Sequence, residues 1–189
     1  MSAAALPPVW LLDVDGVVNA CTRNPDRSVW PADAWVRTEA KGVGHRWPIL
    51  VAQPVVDFIR RIHEEGRAEI RWHTTWQHDA QNLAKVLGLP EFPVQDAPEY
   101  SAWFGVRDRR DDWWKLPAAE RVVGVEGRAL VWTDDDLRFP TPAEGRAIDA
   151  LRQAGRVLMI SPNDRTGLTP KHLRQIDEFL SIHAAAQAA

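Results

Sequence analysis

Two short acidic clusters carry the residue types that could do chemistry. The first is Asp13-Val14-Asp15-Gly16-Val17-Val18-Asn19 and the second is Asp134-Asp135-Asp136. Each follows a short apolar run, Val9 to Leu12 in one case and Ala129 to Trp132 in the other, so both fall at the ends of strand candidates. Two carboxylates two residues apart do not both continue a strand. Asp13 can close the strand while Asp15 sits in the turn that Gly16 permits, and both can then converge on one point above a sheet. Carboxylates at one point repel, and a hard cation relieves the repulsion. Mg²⁺ takes oxygen ligands and is commonly held by one or two carboxylates together with a substrate phosphate. One such pair is weak by itself, because Asp and Gly are ordinary turn residues, and Asp136 reads most simply as part of a loop or cap. Two acidic clusters after two buried strands are harder to explain as turns, since their self-repulsion costs stability unless a positive group sits among them.

The elements that must position these groups follow from the apolar pattern. Ala68 to Trp72, followed by His73 and Thr74, is a third strand candidate, and Val157 to Ile160 is a fourth. Three of the four thus end in a polar group: Asp13, Thr74 and Asp134. Short continuous apolar runs suit strands buried on both faces of a parallel sheet. Between them, Pro54 to Glu65 carries Val55, Ile59 and Ile62 at helical spacing and ends at Gly66; Asp79 to Leu87 ends at Gly88. Thr141-Pro142 and Thr169-Pro170 are N-cap and N1 signals for helices reaching about Ala154 and Leu180. Alternating strand and helix predicts an α/β fold with a mostly parallel central sheet.

In such a sheet, ligands bind outside the carboxyl ends of the strands. Two segments break the alternation. Ala20 to Pro48 is polar, with Trp30, Trp35 and Trp47 spread through it; inserted directly after the first strand, it is expected to be a flap or small cap over the site. Glu91 to Asp112 is mostly irregular, with Pro93, Pro98, Arg107, Arg109 and Arg110. No repeat or linker divides the chain, so residues 1–189 are expected to form one domain, with residues 184–189 fraying.

Composition narrows the class. The chain has 189 residues, 45% hydrophobic and 26% charged, which is ordinary globular composition and excludes wholesale disorder. A lone Cys21 excludes an internal disulfide framework and cysteine-built metal sites. The apolar runs are far shorter than the roughly 18 residues of a membrane span. The stretch Met1 to Pro8 has no basic residue and makes a poor secretory signal, so no membrane is expected and the cytoplasm is the default compartment. The net charge of -3 does not indicate a nucleic-acid partner, although a local basic patch can sit within a near-neutral total. Of 23 basic residues, 19 are Arg, which suits phosphate recognition but equally reflects compositional bias.

Asp13-Val14-Asp15-Gly16-Val17-Val18 resembles the first motif of the haloacid dehalogenase (HAD) superfamily of phosphohydrolases. Thr74 resembles the second, Lys115 in Trp113-Trp114-Lys115 the third, and Val131-Trp132-Thr133-Asp134-Asp135 the fourth. The gaps suit the family: 61 residues from Asp13 to Thr74, 41 to Lys115 and 19 to Asp134. The likeness extends from about Val9 to Leu180. Trp-x-Thr-x-Trp at 72 to 76 and Gly-Leu-Thr-Pro-x-His-Leu at 167 to 173 are similar to a smaller group, the HAD domains associated with predicted RNA-repair systems. The resemblance implies a HAD-like doubly wound, three-layer fold and a Mg²⁺-dependent phosphatase. Asp13 would be the nucleophile and form an aspartyl-phosphate. Asp15 would be general acid and then base. Thr74 would hold a phosphoryl oxygen, with Thr75 the alternative, and Gly16 would sit against the substrate. Lys115 would neutralise the nucleophile and the phosphoryl group, with Lys85 the alternative. The metal ligands would be the carboxylates of Asp13 and Asp134, the backbone carbonyl of Asp15, and Asp135 directly or through water. Asp15 also separates phosphoryl chemistry from carbon–halogen hydrolysis, since the dehalogenases of this superfamily lack that acid.

The expected substrate is a phosphomonoester, with a nucleic-acid end or nucleotide as one reading. The alternatives are a sugar phosphate or other small metabolite, and a catalytically silent domain that binds phosphate or nucleic acid. Trp103, Trp113 and Trp114 beside Arg107, Arg109 and Arg110 could stack bases and hold a backbone, or they could simply anchor loops. Trp10, Trp72 and Trp132 read as core. His73 and His78 flank Thr74 without a second ligand at zinc spacing. Cys21 has no activating base in the sequence and reads as incidental. Asn163-Asp164-Arg165 reads as a turn at the rim of the site or before the last helix.

Overall fold

A computed structural model describes residues 6–42, 44–95 and 113–188, the last four of these by backbone alone. Four strands, β1 (Val9–Leu12), β4 (Glu69–Trp72), β5 (Leu130–Thr133) and β6 (Val157–Ile160), form a parallel sheet in the order β4-β1-β5-β6. A separate antiparallel hairpin joins β2 (Trp35–Gly42) to β3 (His45–Ala52). The α-helices among the described residues are α1 (Gln53–Glu64), α2 (Ala80–Leu87), α3 (Lys115–Gly124), α4 (Pro142–Gln153) and α5 (Pro170–Ala188).

The apolar runs of the parallel strands divide their side chains between two cores, as a period of two requires. Trp10 and Leu12 of β1, Val131 of β5 and Ile160 of β6 pack with α1, α2 and α5. Val9 and Leu11, Leu130 and Trp132, with Val157 and Met159 at their edge, pack with α3 and α4 on the opposite face. Each fully buried Leu or Val in these strands contributes about 1.5–3 kcal/mol, and Leu11, Leu12 and Leu130 are all fully buried. Strand β4 differs. Ile70 and Trp72 join the first core, while Glu69 and Arg71 turn to an ion-pair network with Glu126 and Arg128 at the amino end of the sheet.

The topology locates the crevice. The chain leaves β1 through α1 on one face, and leaves β5 through α4 on the other. Such a reversal between adjacent strands opens a ligand crevice at their carboxyl ends. Register then sets the neighbours: Leu12 pairs with Thr133 on one side and with Trp72 on the other. One residue further, Asp13 lies between Asp134 and His73. The sheet hydrogen bonds continue to these residues, with Asp13 N donating to Thr133 O at 3.1 Å, His73 N to Leu12 O at 2.9 Å and Asp134 N to Ile160 O at 3.1 Å.

Several boundaries differ from the sequence expectation. The segment after β1 is a loop followed by a hairpin that continues to Ala52, beyond Pro48. Pro48 reads as a breaker, but it pairs with Glu39 in a two-stranded ribbon, where a missing donor is tolerated. Ile49 to Ala52 are buried and tie the hairpin to the core. Helix α3 has no clear sequence signal because Pro117 stands near its start, yet a first turn accommodates proline. Helix α5 runs to Ala188, past the point where fraying is expected. Thr141 caps α4 as its sequence suggests: its Oγ1 accepts from Glu144 N at 3.3 Å, and Glu144 Oε2 accepts from Thr141 N at 2.6 Å. No described helix is long and apolar enough to cross a membrane.

Candidate functional site

The crevice between β1 and β5 holds a buried cation between two buried carboxylates. Lys115, the first residue of α3, donates from Nζ to Asp13 Oδ2 and to Asp134 Oδ2, both at 2.7 Å. The second oxygen of each carboxylate is held by backbone: Asp13 Oδ1 by Val14 N at 2.7 Å, Asp134 Oδ1 by Asp136 N at 3.0 Å. Asp135 completes a group of three carboxylates whose oxygens lie within 4.8 Å of one another. Arg138 reaches Asp135 at 3.7 Å but sits closer to Asp164, at 3.0 Å. Four carboxylates therefore face two cations, and two negative charges remain uncompensated when all are ionised.

The titration shifts follow from that imbalance. Burial raises the pKa of Asp13, against the pull of Lys115 and of the Thr74 hydroxyl. Burial pushes Asp134 up to about 7, with Lys115 opposing and the charge of Asp13 adding to the rise. Asp135 is pushed up to about 6 by partial burial and then by Asp13. For Lys115, burial opposes the charged form, but the two carboxylates outweigh it and its pKa is raised. A divalent cation among Asp13, Asp134 and Asp135 would relieve the strain these shifts express, and an all-oxygen donor set suits a hard ion such as Mg²⁺.

Asp15 has a different setting. It is half-buried in the turn after β1 and lies outside the three-carboxylate group. Its Oδ1 accepts from Asn19 Nδ2 at 2.7 Å and its Oδ2 from Trp76 Nε1 at 2.8 Å. Asn19 in turn accepts from Leu50 N of the hairpin at 2.9 Å. The turn closes through Gly16 N to Asn19 O at 2.9 Å, and Leu168 N braces it from the late loop by donating to Val17 O at 2.9 Å. Gly16 has φ +71°, and a Cβ there would stand 2.4 Å from Asp135 Cγ. Glycine is thus required twice, by the backbone and by the close passage of Asp135. Since its N–H is spent on Asn19, Gly16 offers shape here and no free donor.

No family model matches the chain, and no curated protein or solved structure is significantly similar to it.

The structure brings Asp13, Asp134, Asp135, Lys115 and Thr74 together, with Asp15 on the adjoining turn. Thr74 is fully buried, and its hydroxyl pulls the pKa of Asp13 down against burial; Thr75 is half-buried with no such influence described. Lys85 is exposed on α2, so the convergent lysine is Lys115. Arg107, Arg109, Arg110 and Trp103 lie outside the described residues. Trp30 and Trp113 are core residues, with Trp113 stacked on Trp132 at 5.1 Å. His73 is fully buried, edge-on to Trp114 at 5.0 Å, and burial followed by the charge of Lys115 holds its pKa well below the usual range. It is therefore a neutral wall of the site. Partial desolvation, then the charge of Asp15, pushes the Cys21 thiol up to about 11, which leaves little thiolate at neutral pH.

Two site residues carry roles that the sequence reading did not assign. Trp76 and Asn19 hold the two oxygens of Asp15. Each was visible only as part of a motif, Trp-x-Thr-x-Trp for one and the end of the first acidic run for the other. The Trp76 ring also lies beneath the hairpin, where a Cβ on Gly42 would meet it at 2.5 Å. Asn82 Nδ2 donates to Lys41 O at 2.9 Å on the same hairpin end. The hairpin is thereby docked on α2 and on the residue that orients Asp15.

Proposed function

We propose that the carboxyl edge of the sheet is the active site of a Mg²⁺-dependent phosphohydrolase of HAD type, acting on phosphomonoesters through an aspartyl-phosphate. The observation that carries this reading is the Asp13–Lys115–Asp134 bridge with Asp135 beside it. It presents a carboxylate nucleophile, a fixed cation and a donor set with two negative charges to spare. The residue chemistry fits the ion: among the described residues the group is three carboxylates with no soft ligand.

In the first step, Asp13 attacks phosphorus and its new O–P bond replaces the P–O bond of the ester. Asp15, held by Trp76 and Asn19, gives its proton to the leaving oxygen. In the second step, Asp15 takes a proton from a water that attacks phosphorus, releasing phosphate and restoring the Asp13 carboxylate. Lys115 stays charged beside both carboxylates and offsets negative charge on the transferring group. The Thr74 hydroxyl would hold a phosphoryl oxygen. Asp13, Asp134 and Asp135 would hold Mg²⁺, which would supply positive charge to offset that on the phosphoryl oxygens. Asp15 favours this chemistry over carbon–halogen hydrolysis, which needs no acid at that position.

The test is phosphate release, with and without Mg²⁺, from phosphorylated oligonucleotides, nucleotides and sugar phosphates. Release that requires Mg²⁺ and is abolished in Asp13→Asn is the expected result. No release across the panel from folded, Mg²⁺-binding protein would favour a silent phosphate-binding domain instead.

A further inference from the structure

A second, oppositely charged site lies between the catalytic turn and the hairpin. Arg23, Arg27 and Arg37, with Asn24, Pro25 and Trp35, line a pocket of about 390 Å³, within the size range of small-ligand sites. Among the described residues, none of these three arginines is in an ion pair, whereas on the same hairpin Arg46 faces Glu39 at 3.8 Å. The nearest acid in sequence, Asp26, spends one carboxylate oxygen on Ser28, at 2.8 Å from its N and 2.6 Å from its Oγ. Arg37 donates to the Arg23 carbonyl at 2.6 Å, which fixes one guanidinium against the loop that carries the other two. The Trp35 indole N–H is spent on the Trp30 carbonyl at 3.2 Å, so Trp35 presents an aromatic wall and no donor to the pocket.

Three uncompensated guanidinium groups beside an aromatic wall match one ligand chemistry. Guanidinium forks suit phosphate oxygens, and an indole suits a planar base. We infer that this pocket binds a nucleotide unit, with phosphate on the arginines and the base against Trp35. The pocket also connects to the carboxyl edge: Arg37 pairs with Leu50 across the hairpin, and Leu50 N donates to Asn19, which holds Asp15. A nucleotide seated there belongs to the substrate of the neighbouring site. This inference rests on the phosphohydrolase reading for that last point only; binding itself does not depend on it. A free nucleotide and one unit of a single strand share the chemistry and are separated by experiment.

Binding to the 189-residue chain is measured by calorimetry in EDTA, where no turnover is expected and the acidic edge repels phosphate. The probes are thymidine 5′-monophosphate, a 5′-phosphorylated hexathymidylate and inorganic phosphate. The nucleotide probes are expected to bind, and Arg23→Ala/Arg27→Ala, two exposed positions, to weaken them tenfold or more. Trp35→Leu, checked for folding by circular dichroism, should cost about tenfold to a hundredfold, the span of one base–aromatic stack. A hexamer that binds tighter than the monophosphate, with a salt slope that falls by about 1.4 in the double variant, identifies a strand; equal affinities identify a free nucleotide. Inorganic phosphate binding as well as the nucleotides, or affinity indifferent to both variants, overturns the inference. Turnover of 4-nitrophenyl phosphate with Mg²⁺ separates the two readings. Turnover without nucleotide binding sinks the pocket alone, and nucleotide binding without any turnover sinks the phosphohydrolase alone.

Discussion

The two ends of the parallel sheet are built from the same kinds of charged residue and behave in opposite ways. At the amino end, Arg71 forks onto Glu126, with both contacts at 2.8 Å, and reaches Glu69 at 2.7 Å, while Arg128 completes the set. Two cations meet two carboxylates. The hydrogen bonds of Arg71 lower the pKa of Glu126, and those of Arg71 and Arg128 lower that of Glu69 against its partial burial. At the carboxyl end, carboxylates outnumber cations, and burial lifts Asp13, Asp134 and Asp135. A balanced network is a fastening. An unbalanced, buried one is a group that could hold a cation.

The largest effect separates the ends by function. Asp13→Asn should reduce phosphate release by about 10³-fold or more, yet should not lower the thermal stability of the metal-free protein, since it removes one of several repelling charges. Glu126→Gln should do the reverse, lowering stability slightly and leaving turnover intact. Phosphate assays and melting curves on the two variants check both halves. Next comes the cation. Lys115→Met leaves buried carboxylates unpartnered and should cost about 3–5 kcal/mol without metal, part of it recovered with Mg²⁺. Arg71→Met, at a more open site with Arg128 remaining, should cost only about 1 kcal/mol. Similar losses in denaturant titrations would erase the distinction between the two ends.

pH should act on the ends with opposite sign. Raised carboxylate pKa values at the carboxyl edge mean that the folded state holds protons the unfolded state releases. The metal-free protein should therefore lose stability as pH rises from about 4 through 6 to 7. The lowered Glu69 and Glu126 contribute stability above the ordinary Glu range, lost as pH falls below it. Carboxylates bind a cation when deprotonated, so if the cluster holds Mg²⁺ the rise in Tm on adding it should be larger at pH 8 than at pH 5. A rise independent of pH would place the ion elsewhere. The smallest effect belongs to the support of Asp15. Trp76→Phe removes one N–H at 2.8 Å and should slow turnover about tenfold, the scale of one positioned hydrogen bond. Mg²⁺ affinity should not change, because Asp15 lies outside the three-carboxylate group.

The parallel strands and the acidic convergence were legible because they follow from local pattern. Four apolar runs, three of them ending in Asp13, Thr74 and Asp134, imply one edge of one sheet, and the register makes Asp13 and Asp134 neighbours. What was not legible depended on contacts between distant segments. The hairpin was hidden because Pro48 resembles a break and because Ile49 to Ala52 are buried by Asn19 and the core, not by their own alternation. Helix α3 was hidden behind Pro117, so Lys115 seemed to follow a loop when it opens a helix aimed at the site. Trp76 is visible in the sequence only as the end of the Trp-x-Thr-x-Trp motif. Its role appears only when the ring is found under Gly42 with its N–H on Asp15.

The central claim is that Asp13 is a phosphoryl-accepting nucleophile, and the most direct measurement is protein-bound phosphate after acid quench of a reaction with a ³²P-labelled phosphomonoester and Mg²⁺. Asp15→Asn, which lacks the base for the second step, should retain label on Asp13 when the leaving group is good enough to depart without an acid. Asp13→Asn should carry none. Wild-type turnover with no label trapped in Asp15→Asn, or label that persists in Asp13→Asn, would contradict the account.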